Sequence, residues 1–429
     1  MKRRIISLVS SPFSLAIILS IVVYFLALFF TSNNASGNYY PIELLGFYQK
    51  GFWELLAFAM QMMLILVLGN VLALTPLFQK LISFLLLRLN SAISAVVVTA
   101  VFSILFCYLN WGLGLVLSAL LAREIGLRFK IQNKRLNYPL IVAAAYSGMM
   151  VWHGGLSGSA TLKVAESGHF LMEKIGVIPV SDTIFSNMNI SLFLIIIISV
   201  PLLFYIIAKR STNDEIADIS VVELSKENQD DRQYIGLFFG IVLIFGVFSS
   251  GISNLSINQV NLILFGLGLI LYPNLSQFTK AVSSSIGVST GIMIQFPIYA
   301  GIMGLMKYSG LVMLFTNSII EISTVQTFPF YSFISAAVIN FFVPSGGGQW
   351  AVQGPILVEA AQNLGVSIPK TIMALAYGDQ LTNMIQPFWA IPLLSITGVK
   401  AKSIIPYTFM VMLVGATAFI LVLYIFTTS

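Results

Sequence analysis

The chain has 429 residues, of which 58% are hydrophobic and only 9% charged, with a mean hydropathy of +0.93. A soluble domain carries roughly 25% charged residues, so the composition excludes a soluble globular class and predicts a chain that crosses a bilayer many times. The net charge of +6 sits in loops and sets topology rather than nucleic-acid binding, and a single cysteine, Cys107, excludes an internal disulfide.

Met-Lys-Arg-Arg precedes an apolar run from Phe13 to Phe30. The run is long, lacks an Ala-x-Ala-like site and ends in a polar loop. It reads as a first membrane helix with a cytoplasmic N-terminus rather than a signal peptide. A crossing helix needs about 20 apolar residues. The candidate crossings are 13–30, 54–76, 138–162, 184–208, 234–251, 257–275, 290–309, 370–397 and 403–427. Segments 77–90 and 310–326 mix charge with apolar residues and read as interfacial amphipathic helices.

Two uncharged stretches do not fit simple crossings. Ser91 to Ala122 is too long for one untilted span and too short for two. Lys80 and Arg88 precede it, and Arg123, Arg128, Lys130, Lys134 and Arg135 follow. Lysine and arginine mark cytoplasmic loops, so a hairpin at about 91–122 enters from the cytoplasm and turns near Asn110 to Gly114. Ile322 to Val358 has no lysine or arginine between Lys307 and Lys370. A second hairpin, at about 327–360, therefore enters from outside and turns at Pro344 to Gly348.

The two hairpins share a repeat. Gly112 and Gly114 lie 234 residues before Gly346 and Gly348, as Gln61 lies before Gln295, and Tyr146 lies 231 before Tyr377. After each hairpin comes a crossing that cannot be a firm helix. Residues 146–161 hold four glycines and three serines, and residues 377–389 hold Gly378 and Pro387. The expected fold class is an all-α polytopic membrane protein with two inverted repeats, each with a re-entrant helical hairpin and a broken transmembrane helix. Residues 1–208 form the first repeat and 234–429 the second. A cytoplasmic linker at 209–233 joins them, and seven acidic residues fall between Ser211 and Asp231.

Polar interruptions at matching places in two halves predict a transporter binding site. The candidate substrate residues of the first half are Asn110, Trp111, Gly112, His153, Gly154, Gly155 and Ser157. Those of the second half are Ser345, Gly346, Gly347, Gln349, Trp350, Asn383 and Gln386. No lysine or arginine lies within 136–162, 308–369 or 371–399. An anion there would be met by backbone N–H groups, hydroxyls and amides, or by a co-bound cation. Asp379 is the one acidic residue deep inside a predicted crossing, and an ionisable group at that depth is a functional candidate. With Asn110, Ser147, Ser345, Thr382 and Asn383 it outlines a sodium site; it equally suits a proton, or the capping of a half-helix.

His153 suits a hydrogen bond to a carboxylate, titration near neutral pH, or a structural role. Trp111, Trp152, Trp350 and Trp389 stand beside the breaks and read as walls of a small pocket or as packing. Gln61 and Gln295 read as braces between helices, His169 as a loop residue, and Glu359 as too far from the tip to be a ligand. Gly155-Leu156-Ser157-Gly158 matches the Gly-x-Ser-Gly of rhomboid proteases, but no downstream membrane histidine is available as base. Gly346 to Gly348 lacks the Gly-Lys-[Ser/Thr] of a phosphate loop.

The stretches NWGLGLVLSALLAREI at 110–125, YPLIVAAAYSG at 138–148, VWHGGLSGSATL at 151–162, PSGGGQWAVQGPI at 344–356 and AYGDQLTNMIQPFWAIPLL at 376–394 resemble the bacterial short-chain fatty acid transporter family, of the acetoacetate and butyrate uptake type. The resemblance implies a secondary transporter of short monocarboxylates in the bacterial cytoplasmic membrane, with no cofactor. It also implies kinship with the ion transporter superfamily. Members of that superfamily bind sodium near hairpin tips, form homodimers and move like an elevator. Their Ser-Asn-Thr tips are replaced here by Asn-Trp-Gly and Pro-Ser-Gly. The expected partners are a small carboxylate and membrane lipid, with sodium or a proton as coupling ion. An exchanger or exporter of another organic anion is the alternative on the same scaffold, and a membrane-embedded enzyme the alternative of another class.

Overall fold

The computed structural model describes residues 12–31, 40–77, 80, 89, 91–211, 234–249 and 257–428. Over these residues the chain is helical, with no β-sheet. The leading helices are α1 (Pro12–Phe30), α2 (Tyr40–Glu54) and α3 (Leu56–Ala73). Next come α4 (Ala92–Leu109), α5 (Trp111–Ile131), α6 (Tyr138–Tyr146), the short α7 (Ser159–Lys163) and α8 (Met172–Ile175), and α9 (Asn187–Arg210). After the linker come α10 (Tyr234–Ser249), α11 (Ile257–Leu271), α12 (Leu275–Ser285), α13 (Thr290–Tyr308) and α14 (Leu311–Ile320). The chain ends with α15 (Phe328–Asn340), α16 (Gly346–Leu364), α17 (Ile368–Thr382), α18 (Pro387–Thr397) and α19 (Ala401–Thr428). Among the described residues, Tyr40–Leu72, Ala92–Leu109, Asn187–Arg210 and Ala401–Phe426 are long and apolar enough to cross a bilayer.

Each predicted hairpin is a helix pair with a capped break. In the first, Asn110 adopts an extended backbone that ends α4, and its side chain accepts from the Leu113 N–H at 3.0 Å to start α5. One non-helical residue thus reverses the chain. Gly114 makes this possible, because a Cβ there would overlap the backbone of Phe106 and Cys107. In the second, Ser345 is extended and accepts from the Gly348 N–H at 3.2 Å. A side-chain acceptor at the N-cap satisfies an orphan donor and lets the helix begin at once. The tip glycines therefore lie in the first helical turn, not in the turns where the sequence put them. The helices also outrun the predicted hairpins. α5 continues to Ile131, with Arg128 and Lys130 in its last turn, where cations suit the carbonyl end.

The crossings after the hairpins are broken. α6 ends in a 3-10 turn over Ser147–Met150, followed by irregular backbone until α7 starts at Ser159. α17 stops at Thr382 and α18 restarts at Pro387, a residue suited to a first helical position. The packing is reciprocal between halves. α5 rests on α18, and α16 rests on α7, so the second helix of each hairpin meets the distal part of the other half's broken crossing.

Helix α2 is a correction, because it forms where the sequence predicts no element. Glu43, Lys50 and Glu54 dilute its apolar signal, yet it packs tightly on α13, where a Cβ on Gly51 would lie 2.5 Å from the Gly304 Cα. Small residues at such a crossing let backbones approach and strengthen dispersion contacts. The predicted helix at 310–326 is seen as α14. That at 77–90 and the linker at 209–233 lie largely outside the described residues.

Candidate functional site

The breaks in the two halves meet at one buried pair. His153 Nδ1 lies 2.6 Å from Asp379 Oδ2, and both side chains are sealed from solvent. The Ala160 N–H donates to His153 Nε2 at 3.0 Å. Nε2 is therefore the bare nitrogen, and Nδ1 carries the proton given to Asp379. Gln380 fixes the ring's backbone, its Oε1 accepting from the His153 N–H at 2.9 Å and the Gly154 N–H at 3.3 Å.

Local chemistry explains how a broken helix survives here. The Asn383 carbonyl would normally accept from residue 387 one turn on, but Pro387 has no N–H. The Tyr146 hydroxyl donates instead, at 2.7 Å, from the other half. Tyr377, its counterpart, donates to Asn189 Oδ1 at 3.2 Å. Asn189 Nδ2 in turn donates to the Gly154 carbonyl in the first break at 2.8 Å. Asn340, the last residue of α15, shares its two amide protons among the Asp379 carbonyl (2.7 Å), Thr382 Oγ1 (2.9 Å) and Asn383 Oδ1 (2.7 Å). The tyrosine repeat is thus a pair of braces across the halves.

The second hairpin tip abuts this pair. A Cβ on Gly346 would lie 2.7 Å from both His153 Cε1 and the Trp152 ring. Trp152 stacks on the His153 ring with centroids 4.5 Å apart, and meets Trp111 at 5.8 Å and Trp389 at 5.7 Å. Trp111 also lines an open cavity of 290 Å³, together with Gln61, Asn110, Ser157, Gly158, Ser159, Leu162, Lys163, Glu166 and Asn258. The Trp111 N–H donates to Ser157 Oγ at 2.9 Å, which ties the first tip to the first break.

The predicted site residues therefore divide. Asn110, Trp111 and Ser157 line the cavity. His153, Gly154, Gly346, Thr382 and Asn383 gather with Asp379 in the buried layer, and Gly347 sits between the two, against Ser159. Gln386 is buried within the second break, and neither of its amide atoms has a partner among the described residues. The proposed sodium set does not hold together as one shell. Asp379, Thr382 and Asn383 share Asn340, but Asn110 and Ser345 are spent as helix caps and Ser147 donates to the Ala144 carbonyl. Gly112 is a packing residue against Ile65, and Gly155 packs on the Tyr108 carbonyl. Gln349 turns into its own hairpin, donating to the Ala336 carbonyl and Gln353. Trp350 belongs to a separate apolar cluster with Phe328 and Leu357.

Gln61 braces, donating to Asn258 Oδ1 at 2.7 Å. His169 is structural, with the Gly176 carbonyl and the Leu171 N–H as partners. Glu359 is exposed beside Lys174. The sequence reading missed Asn340, Gln380 and Asn189, as well as Lys163, which lies one residue beyond the stretch read as free of cations. Asp379 Oδ1, Asn340 Oδ1 and Asn383 Nδ2 are buried without a partner among the described residues. Buried polar atoms are normally satisfied, so these are the atoms an ion or ligand would meet. Among the described residues no three His, Cys, Asp or Glu side chains cluster as a metal site. Ser157 pairs with a backbone N–H and His153 with Asp379, so these two residues do not form a nucleophile–base pair.

The apolar helical body, with two breaks that meet at a sealed ionisable pair, fits a multi-pass membrane protein. The family described as Short chain fatty acid transporter matches residues 1–236 and 232–426. A protein of Escherichia coli (strain K12) is 35% identical over 442 residues, covering 99% of this chain and 98% of that protein. One of Haemophilus influenzae (strain ATCC 51907 / DSM 11121 / KW20 / Rd) is 34% identical over 445 residues, covering 96% and 95%. Both are named for short-chain fatty acid transport. The chain belongs to the short-chain fatty acid transporter family. Solved structures similar to it are the Alcanivorax borkumensis YdaH transporter (14% identity, 96% of this chain and 98% of that one, TM-score 0.47) and Neisseria gonorrhoeae MtrF (14%, 95% and 94%, TM-score 0.42).

Proposed function

We propose that the chain is a cation-coupled carrier that takes up short-chain monocarboxylates such as acetoacetate and butyrate. The observation that carries this reading is the buried His153–Asp379 pair, which joins the two broken crossings at 2.6 Å. A carboxylate sealed at that depth is costly, and ionisable groups kept there commonly mark ion pathways. The coupling cation, sodium or a proton, is met at Asp379 beside Asn340, Thr382 and Asn383. The two halves act as inverted repeats, 1–208 and 234–429, with hairpins that enter from opposite faces and a cytoplasmic linker between them. The tips move with the broken crossings as one elevator-like unit, in a homodimer in the bacterial cytoplasmic membrane with the N-terminus inside. Preference for short acids follows from a small pocket, since each buried CH₂ adds about 0.8 kcal/mol until the wall is reached.

The test is uptake of labelled butyrate into liposomes holding the purified protein, with sodium and proton gradients imposed separately. Uptake driven by one gradient names the coupling ion. Uptake driven by neither, but by preloaded internal anion, replaces symport with exchange.

A further inference from the structure

We propose that the 290 Å³ cavity is the docking site for the substrate carboxylate, with Lys163 as its cation and Asn110 as its inner donor. The proposal rests on the carrier reading and adds the residues that first receive the anion. Three observations meet there. Lys163 and Glu166 stand at the mouth, 46% and 58% exposed, and bond each other at 2.7 Å. Asn110 lies deeper, 4% exposed, and its Oδ1 is already committed to the Leu113 N–H. Its Nδ2 is buried with no acceptor among the described residues, and Asn110 itself lines the cavity. An amide donor sealed at the end of a pocket that carries a cation at its mouth fits a small carboxylate, which offers several acceptor lone pairs. Pockets of about 300 Å³ are ordinary for small ligands, and Trp111 and Leu162 supply apolar wall for a short acyl tail.

Glu166 gives the site its selectivity. In the resting arrangement it supplies the carboxylate that Lys163 holds, and the incoming substrate carboxylate takes its place. Lys163 is the one cation among the lining residues, so a second carboxylate on the substrate would face Glu166 with no partner. The cavity thus favours monocarboxylates over dicarboxylates. The route onward is defined by contact. Trp111 touches Trp152, which stacks on His153, while Gly347 and Gly346 of the second tip lie against Ser159 and His153. Withdrawal of that tip opens the way from the docking site to the His153–Asp379 pair.

The experiment measures KM and kcat for labelled butyrate uptake, with succinate as competitor, using full-length protein in liposomes. Lys163→Gln should raise KM at least tenfold with kcat within about twofold of the parent, and Lys163→Arg should restore most of the affinity. Asn110→Asp keeps an oxygen for the Leu113 N–H but replaces the inner donor with charge; it should raise KM at least as much. Glu166→Gln should lower KM and make succinate an effective inhibitor. Lys174→Gln, which removes an exposed lysine outside the cavity, should change nothing. An unchanged KM in both Lys163→Gln and Asn110→Asp, with the parent active, overturns the docking site while leaving the carrier intact. A fall in kcat alone also overturns it, because it places the residues on the path rather than at docking. A parent that takes up no butyrate under any gradient overturns the carrier reading and the site with it.

Discussion

Asp379 and His153 are 226 residues apart in sequence, yet their side chains meet at 2.6 Å with a defined proton direction, Nδ1 to Oδ2. The link joins the last turn of α17 to the first break, so the two breaks share one buried contact.

Asp379→Asn removes the charge but keeps an oxygen for the His153 proton. Gradient-driven uptake should fall at least tenfold, while size-exclusion behaviour and helicity stay those of the parent. His153→Ala differs, because it leaves a buried carboxylate without its partner. Leaving a buried acceptor without its donor costs about 1–3 kcal/mol, and more when the acceptor is charged, so thermal melting should shift down clearly. Full coupled uptake by Asp379→Asn would remove this residue from the transport cycle.

The second tip discriminates between neighbouring glycines. A Cβ on Gly346 would sit 2.7 Å from the His153 and Trp152 rings, whereas one on Gly347 would meet Ser159 Cβ at 3.6 Å, an ordinary contact. Gly346→Ala should therefore abolish uptake or strongly impair it, and Gly347→Ala should leave it within about twofold of the parent. Bulkier replacements at either position should block the tip. Equal activity of the two alanine variants would mean that the tip does not press on the pair during transport.

Much of this arrangement is legible in the sequence, for identifiable reasons. Asn110 and Ser345, with the glycines after them, mark both tips because a polar cap amid apolar residues has few other uses. Gly154, Gly155, Gly158 and Pro387 mark the breaks. Asp379 and His153 are visible as ionisable groups in apolar surroundings, but their pairing is not, because nothing local encodes a contact across 226 residues. Asn340 carries the same signal as Gln61 and Gln295, a lone amide in an apolar helix, but its three acceptors lie 39 to 43 residues away and nothing local marks them. Glycine identity also misled. Gly112 repeats Gly346 in sequence, but one packs on Ile65 and the other on His153. The same residue type serves helix packing and site access, and only the neighbours tell them apart.

Cys107 provides a probe of the first hairpin. It is fully buried, and the fold-back at Gly114 covers it. A membrane-permeant thiol reagent should modify it slowly in the resting protein, over a time much longer than for an unfolded control. If the first tip separates during the cycle, butyrate together with the coupling cation should accelerate labelling several-fold, as read by intact mass. Rapid labelling of the resting protein would contradict the close packing of α4 on α5.

Tyr146 supplies the donor that Pro387 cannot. Removing its hydroxyl in Tyr146→Phe leaves the Asn383 carbonyl buried and unpaired, at a cost of about 1–3 kcal/mol. Tyr377→Phe removes the 3.2 Å bond to Asn189 Oδ1, while Asn189 still holds the Gly154 carbonyl through its amide nitrogen. The stability loss should therefore be larger for Tyr146→Phe, measured as a shift in thermal melting of the detergent-solubilised protein. Transport should follow the same order for a separate reason. Asn383 also accepts from Asn340, which anchors the Asp379 carbonyl, so loosening the second break disturbs the support of the His153–Asp379 pair. Tyr146→Phe should lower uptake several-fold at a temperature where it remains folded. A variant that melts earlier but transports normally would show that the brace serves only the fold.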